Sequence, residues 1–95
     1  ERCRADIGYA LAVEYWGQGI TTEALKLAVP QVFKDFPEVL RLQAYAAAEN
    51  IASQRVLEKA GFLKEGTLRK YSYLKGNLCD LVVYSFLSTD INPSV

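Results

Sequence analysis

Two glycines, Gly17 and Gly19, stand where an alternating pattern gives way to a helical one. Upstream, residues 4–13 place Ile7, Tyr9 and Leu11 on one face of an extended chain and Gly8, Ala10 and Ala12 on the other. Downstream, Ile20, Ala24, Leu27, Ala28, Val32, Phe33 and Phe36 recur at about the 3.6-residue period of a helix. A strand that turns on glycines straight into a helix must lay that helix back on a sheet, which confines the chain to layered folds of mixed class. The small face of the strand marks a surface that something approaches closely, whether a ligand or a packed helix.

The remaining punctuation extends this pattern. Pro30 falls inside the helix and predicts a kink or an early end, because it lacks a backbone donor. After a loop at Asp35-Phe36-Pro37-Glu38, residues 39–48 alternate again, with Leu40, Leu42, Ala44 and Ala46 against Arg41, Gln43 and Tyr45. Asn50 is suited to cap a second, short helix, and Gly61 to end it in the left-handed conformation, with Phe62 folding back on it. Residues 67–74 and 78–87 read as a hairpin around Lys75-Gly76-Asn77. The tail, residues 88–95, is polar, carries Pro93 and is expected to fray. The expected order is strand, helix, strand, helix, strand, strand, an α/β (α+β) arrangement.

Composition removes several functions. Ninety-five residues make one domain at most, and a 51% hydrophobic content suffices for a packed core. Eleven basic residues balance eleven acidic ones, which argues against nucleic-acid binding driven by a basic surface. No apolar run is long enough for a membrane span, and no signal-peptide pattern opens the sequence. With no histidine, catalytic pairs and zinc sites that need imidazole are excluded. Cys3 and Cys79 have no metal-ligand spacing and read as free thiols of a cytoplasmic protein.

The turn Trp16-Gly17-Gln18-Gly19-Ile20-Thr21 leaves backbone N–H groups uncovered at the positive end of a helix dipole, where a pyrophosphate fits. It is neither a Walker loop, lacking Gly-Lys-Ser/Thr, nor a dinucleotide fingerprint, lacking the third glycine. Two glycines alone serve structure as readily as a ligand. The wider stretch Tyr15-Trp16-Gly17-Gln18-Gly19-Ile20-Thr21-Thr22-Glu23-Ala24 resembles the coenzyme-A pyrophosphate loop of GNAT N-acetyltransferases, in the wording of the RimJ/RimL-type ribosomal-protein-alanine branch. The run from Asn50 through Ser53, Val56 and Gly61 to Phe62 is similar to that branch's second cofactor helix, and Glu65-Gly66-Thr67-Leu68-Arg69 to its closing hairpin. The resemblance spans residues 2–88, and residues 1–87 are expected to form the acetyl-CoA-binding half of the domain. The strand, two helices and two strands that open the family's fold are not read in this sequence.

The resemblance implies that pantetheine pairs with the backbone of Tyr9, Ala10 and Leu11, in a splay between the first two strands. Pyrophosphate would rest on N–H groups of Gly17, Gln18, Gly19, Ile20, Thr21 and Thr22. The Leu11 N–H would polarise the thioester carbonyl, Asn50 and Ser53 would line the cofactor, and Ser53 would be the candidate acid. Helical spacing puts Asn50, Ser53 and Leu57 on one face, and Leu57 stands where much of the family has a tyrosine acid. Read without the resemblance, Asn50 is a helix cap and Ser53 a first-turn serine bonded to the backbone. The usual acidic base positions hold Tyr45 and Ser72, which leaves the base to a residue outside this sequence or to water. Asp80, Glu65, Tyr71 and Tyr73 are polar enough to polarise a water, though solvated or hairpin-pairing roles suit each better.

The implied activity is acetyl transfer from acetyl-CoA directly to an amine or peptide acceptor, including a protein N-terminus, with no metal, nucleic acid or membrane. Two readings compete: a noncatalytic acetyl-CoA-binding module, and an assembly fragment that forms a homodimer through an exposed sheet edge without cofactor.

Overall fold

The computed structural model describes residues 4–6, 22–74 and 76–91. Its elements are β1 (Arg4–Asp6), α1 (Thr22–Asp35), β2 (Arg41–Ala47), α2 (Ile51–Lys59), β3 (Leu63–Leu74), β4 (Asn77–Leu87) and a 3-10 turn at Ser88–Asp90. The order of strands and helices is the expected one. The four strands form a single mixed sheet in the order β1-β2-β4-β3. β1 and β2 run parallel, with Arg4 opposite Arg41 and Asp6 opposite Gln43, while β4 is antiparallel to both β2 and β3. Parallel neighbours need a long crossover, and α1 lies within it.

One face of the sheet carries the core. Leu42, Ala44 and Ala46 of β2 pair with Phe86, Tyr84 and Val82 of β4, and all six are buried. Leu25, Val29 and Phe33 of α1 and Leu57 of α2 join the same cluster. The apolar stripe of α1 therefore differs from the expected one. It runs Leu25, Val29, Phe33 at i, i+4, i+8, while Leu27 and Phe36 are exposed. α1 also passes through Pro30 and continues to Asp35, so the expected early end does not occur. Pro30 is exposed and lies outside the buried Leu25, Val29 and Phe33 stripe.

α2 begins and ends where its punctuation predicts. Asn50 Oδ1 accepts a hydrogen bond from the Ser53 N–H at 3.1 Å, satisfying one donor of the first turn. At the far end, Gly61 has φ +102°, its N–H reaches the Glu58 carbonyl at 3.1 Å, and the Phe62 N–H reaches the Leu57 carbonyl at 3.0 Å. This is a Schellman closure, with Phe62 and Leu57 packed in the core beside it. Gln54 Nε2 adds bonds to the carbonyls of Ala47 (3.1 Å) and Ala48 (2.8 Å), fastening α2 to the end of β2.

β3 starts at Leu63 rather than at Thr67, and Leu40 precedes β2 and is exposed rather than inward. The β3–β4 pairing slips twice, between Lys64 and Gly66 and between Leu68 and Ser72, and closes with Leu74 opposite Asn77 around Gly76 at φ +83°. Of the expected frayed tail, residues 88–91 are described, and they are fastened to the fold. The Ser88 N–H bonds the Leu40 carbonyl at 3.0 Å, Asp90 Oδ2 accepts from the Leu87 N–H at 2.9 Å, and Ile91 packs on the core.

Candidate functional site

Three expected site residues fall among those described. Thr22 is the first residue of α1 and is half-buried. Asn50 is exposed at the start of α2, with its Oδ1 committed to the cap. Ser53 lies one turn further in and is only 4% exposed. The bond in the Asn50 cap is made by the backbone of Ser53; among the described residues its hydroxyl has no hydrogen-bond partner. A buried, unbonded hydroxyl costs about 1–3 kcal/mol, so this group is expected to find a partner in the working protein. The cap reading of Asn50 thus holds, and the first-turn backbone bond expected for the Ser53 hydroxyl is not made. Leu57, on the same face, is fully buried and belongs to the core. Tyr9, Ala10, Leu11, Gly17, Gln18, Gly19, Ile20 and Thr21, with the splay expected beside the first of them, lie outside the described residues.

The sheet face opposite the core carries a polar chain that no motif announced. Arg41 grips Glu65 with both terminal nitrogens, at 2.9 Å and 2.6 Å, and Ser85 Oγ donates to the same carboxylate at 2.6 Å. Arg41 Nε donates to Gln43 Oε1 at 3.0 Å, and Gln43 Nε2 donates to the Tyr45 hydroxyl at 3.0 Å. The Arg41 guanidinium and then the Ser85 hydroxyl hold Glu65 far below the usual carboxylate range, at about 2. Glu65 is therefore an anion committed to its partners and a poor proton acceptor. Arg41 and Ser85 were not singled out in the sequence because only the sheet register brings them together, through Gln43 and Leu63 on either side of Ser85.

Of the other candidates, Asp80 has one carboxylate oxygen engaged, while Tyr71 and Tyr73 are exposed on the hairpin. Asp80 Oδ1 accepts the Lys70 backbone N–H at 2.8 Å. Ser72 makes only a long contact, 3.5 Å, to the Tyr73 carbonyl. Tyr84 is fully buried and donates to Glu58 Oε2 at 2.8 Å; burial first, and then Glu58, push its pKa above the ordinary value. It is a tie between β4 and α2 rather than an acid for neutral pH. Among the described residues no group of three or more His, Cys, Asp or Glu could hold a metal ion, and no helix is long and apolar enough to cross a membrane.

Comparison with known proteins agrees with this architecture. Residues 1–63 match the family described as the acetyltransferase (GNAT) domain. A Bacillus licheniformis protein named N-acetyltransferase p20, itself uncharacterized, is 36% identical over 90 residues, which is 95% of this chain and 50% of that protein. The crystal structure of ribosomal-protein-S5-alanine acetyltransferase from Vibrio fischeri superposes with a TM-score of 0.72 at 34% identity, covering 94% of this chain and 49% of that one. A structure of RimL, a ribosomal L7/L12 α-N-protein acetyltransferase in complex with coenzyme A, gives a TM-score of 0.66 at 28% identity over 87% of this chain and 47% of that one. The chain thus spans about half the length of the proteins it matches. With the family profile covering most of the sequence and the sheet order of this fold in place, the chain belongs to the GNAT acetyltransferase family.

Proposed function

We propose that the protein carrying this chain transfers acetyl from acetyl-CoA directly to a primary amine, and that the amine is a protein N-terminus. The observation that carries this reading is Ser53, a buried hydroxyl with no partner among the described residues, on the helix that the sequence resemblance assigns a cofactor-lining role. The residues fit the ligand in kind. Ser53 offers one hydroxyl donor, the Asn50 side-chain N–H₂ is left over by the cap, and Thr22 opens α1, where N–H groups lack helical partners. In this reading the N–H groups of residues 17–22 hold the pyrophosphate, and the backbone of Tyr9, Ala10 and Leu11 holds the pantetheine.

Acetyl-CoA supplies the acetyl group as a thioester. The amine nitrogen attacks the carbonyl carbon, and the Leu11 N–H stabilises the charge that develops on its oxygen. The carbon–sulfur bond breaks, and the departing sulfur takes a proton from Ser53 Oγ, which recovers one from solvent. The amine proton leaves to water or to a base outside this sequence, because Glu65 and Asp80 are engaged with Arg41, Ser85 and Lys70. The relatives named as ribosomal-protein acetyltransferases support a protein N-terminus as the acceptor.

The same engagement of Glu65 and Asp80, with Tyr45 and Ser72 at the usual base positions, favours a second reading: a module that binds acetyl-CoA without transferring it. Calorimetric titration with acetyl-CoA, run beside mass spectrometry of amine and N-terminal peptide panels, separates them. Binding with acetylated product supports the enzyme; binding without product from any acceptor supports the module; absence of binding overturns both.

A further inference from the structure

The hairpin contains a residue that breaks a local rule. Lys70 has φ +48°, and it is the one non-glycine residue with positive φ among those described. A side chain in the left-handed region costs about 1 kcal/mol or more relative to glycine, so such a position normally falls to Gly or Asn. The strain is held by Asp80, whose Oδ1 accepts the Lys70 backbone N–H at 2.8 Å, at the bulge where β3 slips between Leu68 and Ser72. This bond needs only the backbone of residue 70. The Lys70 side chain is exposed and, like that of Arg69 beside it, forms no ion pair among the described residues. Bulges re-aim side chains, and because the Asp80 bond would serve a glycine equally well, a lysine at this left-handed position points to use of the side chain itself.

We propose that this bulge is a docking site for a carboxylate-rich polypeptide segment. Arg69, Lys70 and Asp80 line a shallow depression, and two adjacent cations without ion-pair partners among the described residues are complementary to acidic side chains. Tyr71 and Tyr73 follow along the strand, 62% and 67% exposed, and add amphipathic contact area of the kind enriched in protein interfaces. The exposed tyrosines favour a polypeptide over a bare polyphosphate, which could not use their apolar area. The proposal does not use Ser53 and holds whether or not the protein transfers acetyl.

The test is direct binding of fluorescein-labelled decaglutamate to the intact protein, read by anisotropy at low and at about physiological ionic strength. Binding should weaken with salt, and Arg69→Ala combined with Lys70→Gly should weaken it by about five- to tenfold, the sum of two exposed charge contacts. Lys70→Gly alone should raise the melting temperature by relieving the left-handed backbone and still lose binding; Lys70→Arg should keep it. A merely structural Lys70 would show the stability gain without the binding loss. Decaglutamate binding that is absent, or unchanged in the double variant, overturns the proposal. So does tighter binding of a labelled single-stranded oligonucleotide that the same double variant abolishes.

Discussion

Replacing Gly61 by alanine tests whether the closure of α2 is dictated by backbone conformation. Two effects act together. At φ +102° an L side chain sits outside its favoured regions, which costs about 1–2 kcal/mol. The added Cβ would also stand 3.0 Å from Phe86 Cε2, closer than carbon atoms pack. Phe86 has little freedom to retreat, being 9% exposed with ring centroids of Phe62 at 5.4 Å and Phe33 at 6.0 Å. A partial shift of a packed ring adds about 1 kcal/mol or more. Against this, alanine restricts the unfolded chain and returns about 0.4–1 kcal/mol. The net expectation is a loss of about 1–2.5 kcal/mol for Gly61→Ala, measured by urea unfolding of the intact protein followed by circular dichroism. Phe86→Leu should remove part of the clash, so the double variant should lose less than the sum of the singles. A Gly61→Ala variant within 0.5 kcal/mol of the parent, by the same unfolding assay, would refute the reasoning, since about 0.5 kcal/mol is the scatter of an ordinary surface change.

Further expectations follow from other elements. Pro30→Ala should stabilise the protein by about 1–2 kcal/mol, since it restores a helix donor worth more than the unfolded-state entropy it gives up; no gain in urea midpoint would contradict this. Glu65→Gln should change the pH dependence of stability. The Glu65 carboxyl titrates near about 2 when folded against an ordinary 4.5, so its contribution is present above pH 4.5 and lost as pH falls toward 2. The stability gap between parent and variant should be flat above pH 4.5 and close below it, and a gap that widens in acid would be inconsistent with the Arg41 pairing. Gly19→Asp should abolish acetyl-CoA binding through bulk and like charge at the pyrophosphate loop, and unchanged affinity by calorimetry would remove that loop from the site.

The parts of the fold legible in the sequence are those where one residue type decides the backbone. Asn50 and Gly61 bound α2 because a side-chain acceptor is needed at one end and a left-handed residue at the other. Leu42, Ala44 and Ala46 mark the core face of β2 because a strand alternates strictly. The stripe of α1 was misplaced because apolar residues occupy more than one face, and small alanines at 24 and 28 fit either side. The start of β3 was hidden because its bulges break the alternation that announces a strand. The Arg41–Glu65–Ser85 cluster was illegible for another reason: its members are up to 44 positions apart and meet only through the register of three strands. At the candidate site, the residue types of Asn50 and Ser53 are readable, whereas the burial of the Ser53 hydroxyl and its lack of a partner among the described residues depend on the packing of α2.

The measurement that bears most directly on the proposed chemistry is turnover of Ser53→Ala in the intact protein, taken with its acetyl-CoA affinity and melting temperature. A hydroxyl that protonates the departing sulfur acts more strongly in the transition state than in the ground state. kcat should therefore fall by about 10–1,000-fold while the acetyl-CoA Kd changes by less than about threefold, and Ser53→Thr or Ser53→Cys should recover part of the rate. Parental turnover in Ser53→Ala, or a loss of rate that only tracks a lower melting temperature, would contradict the account and leave Ser53 as a structural residue of α2.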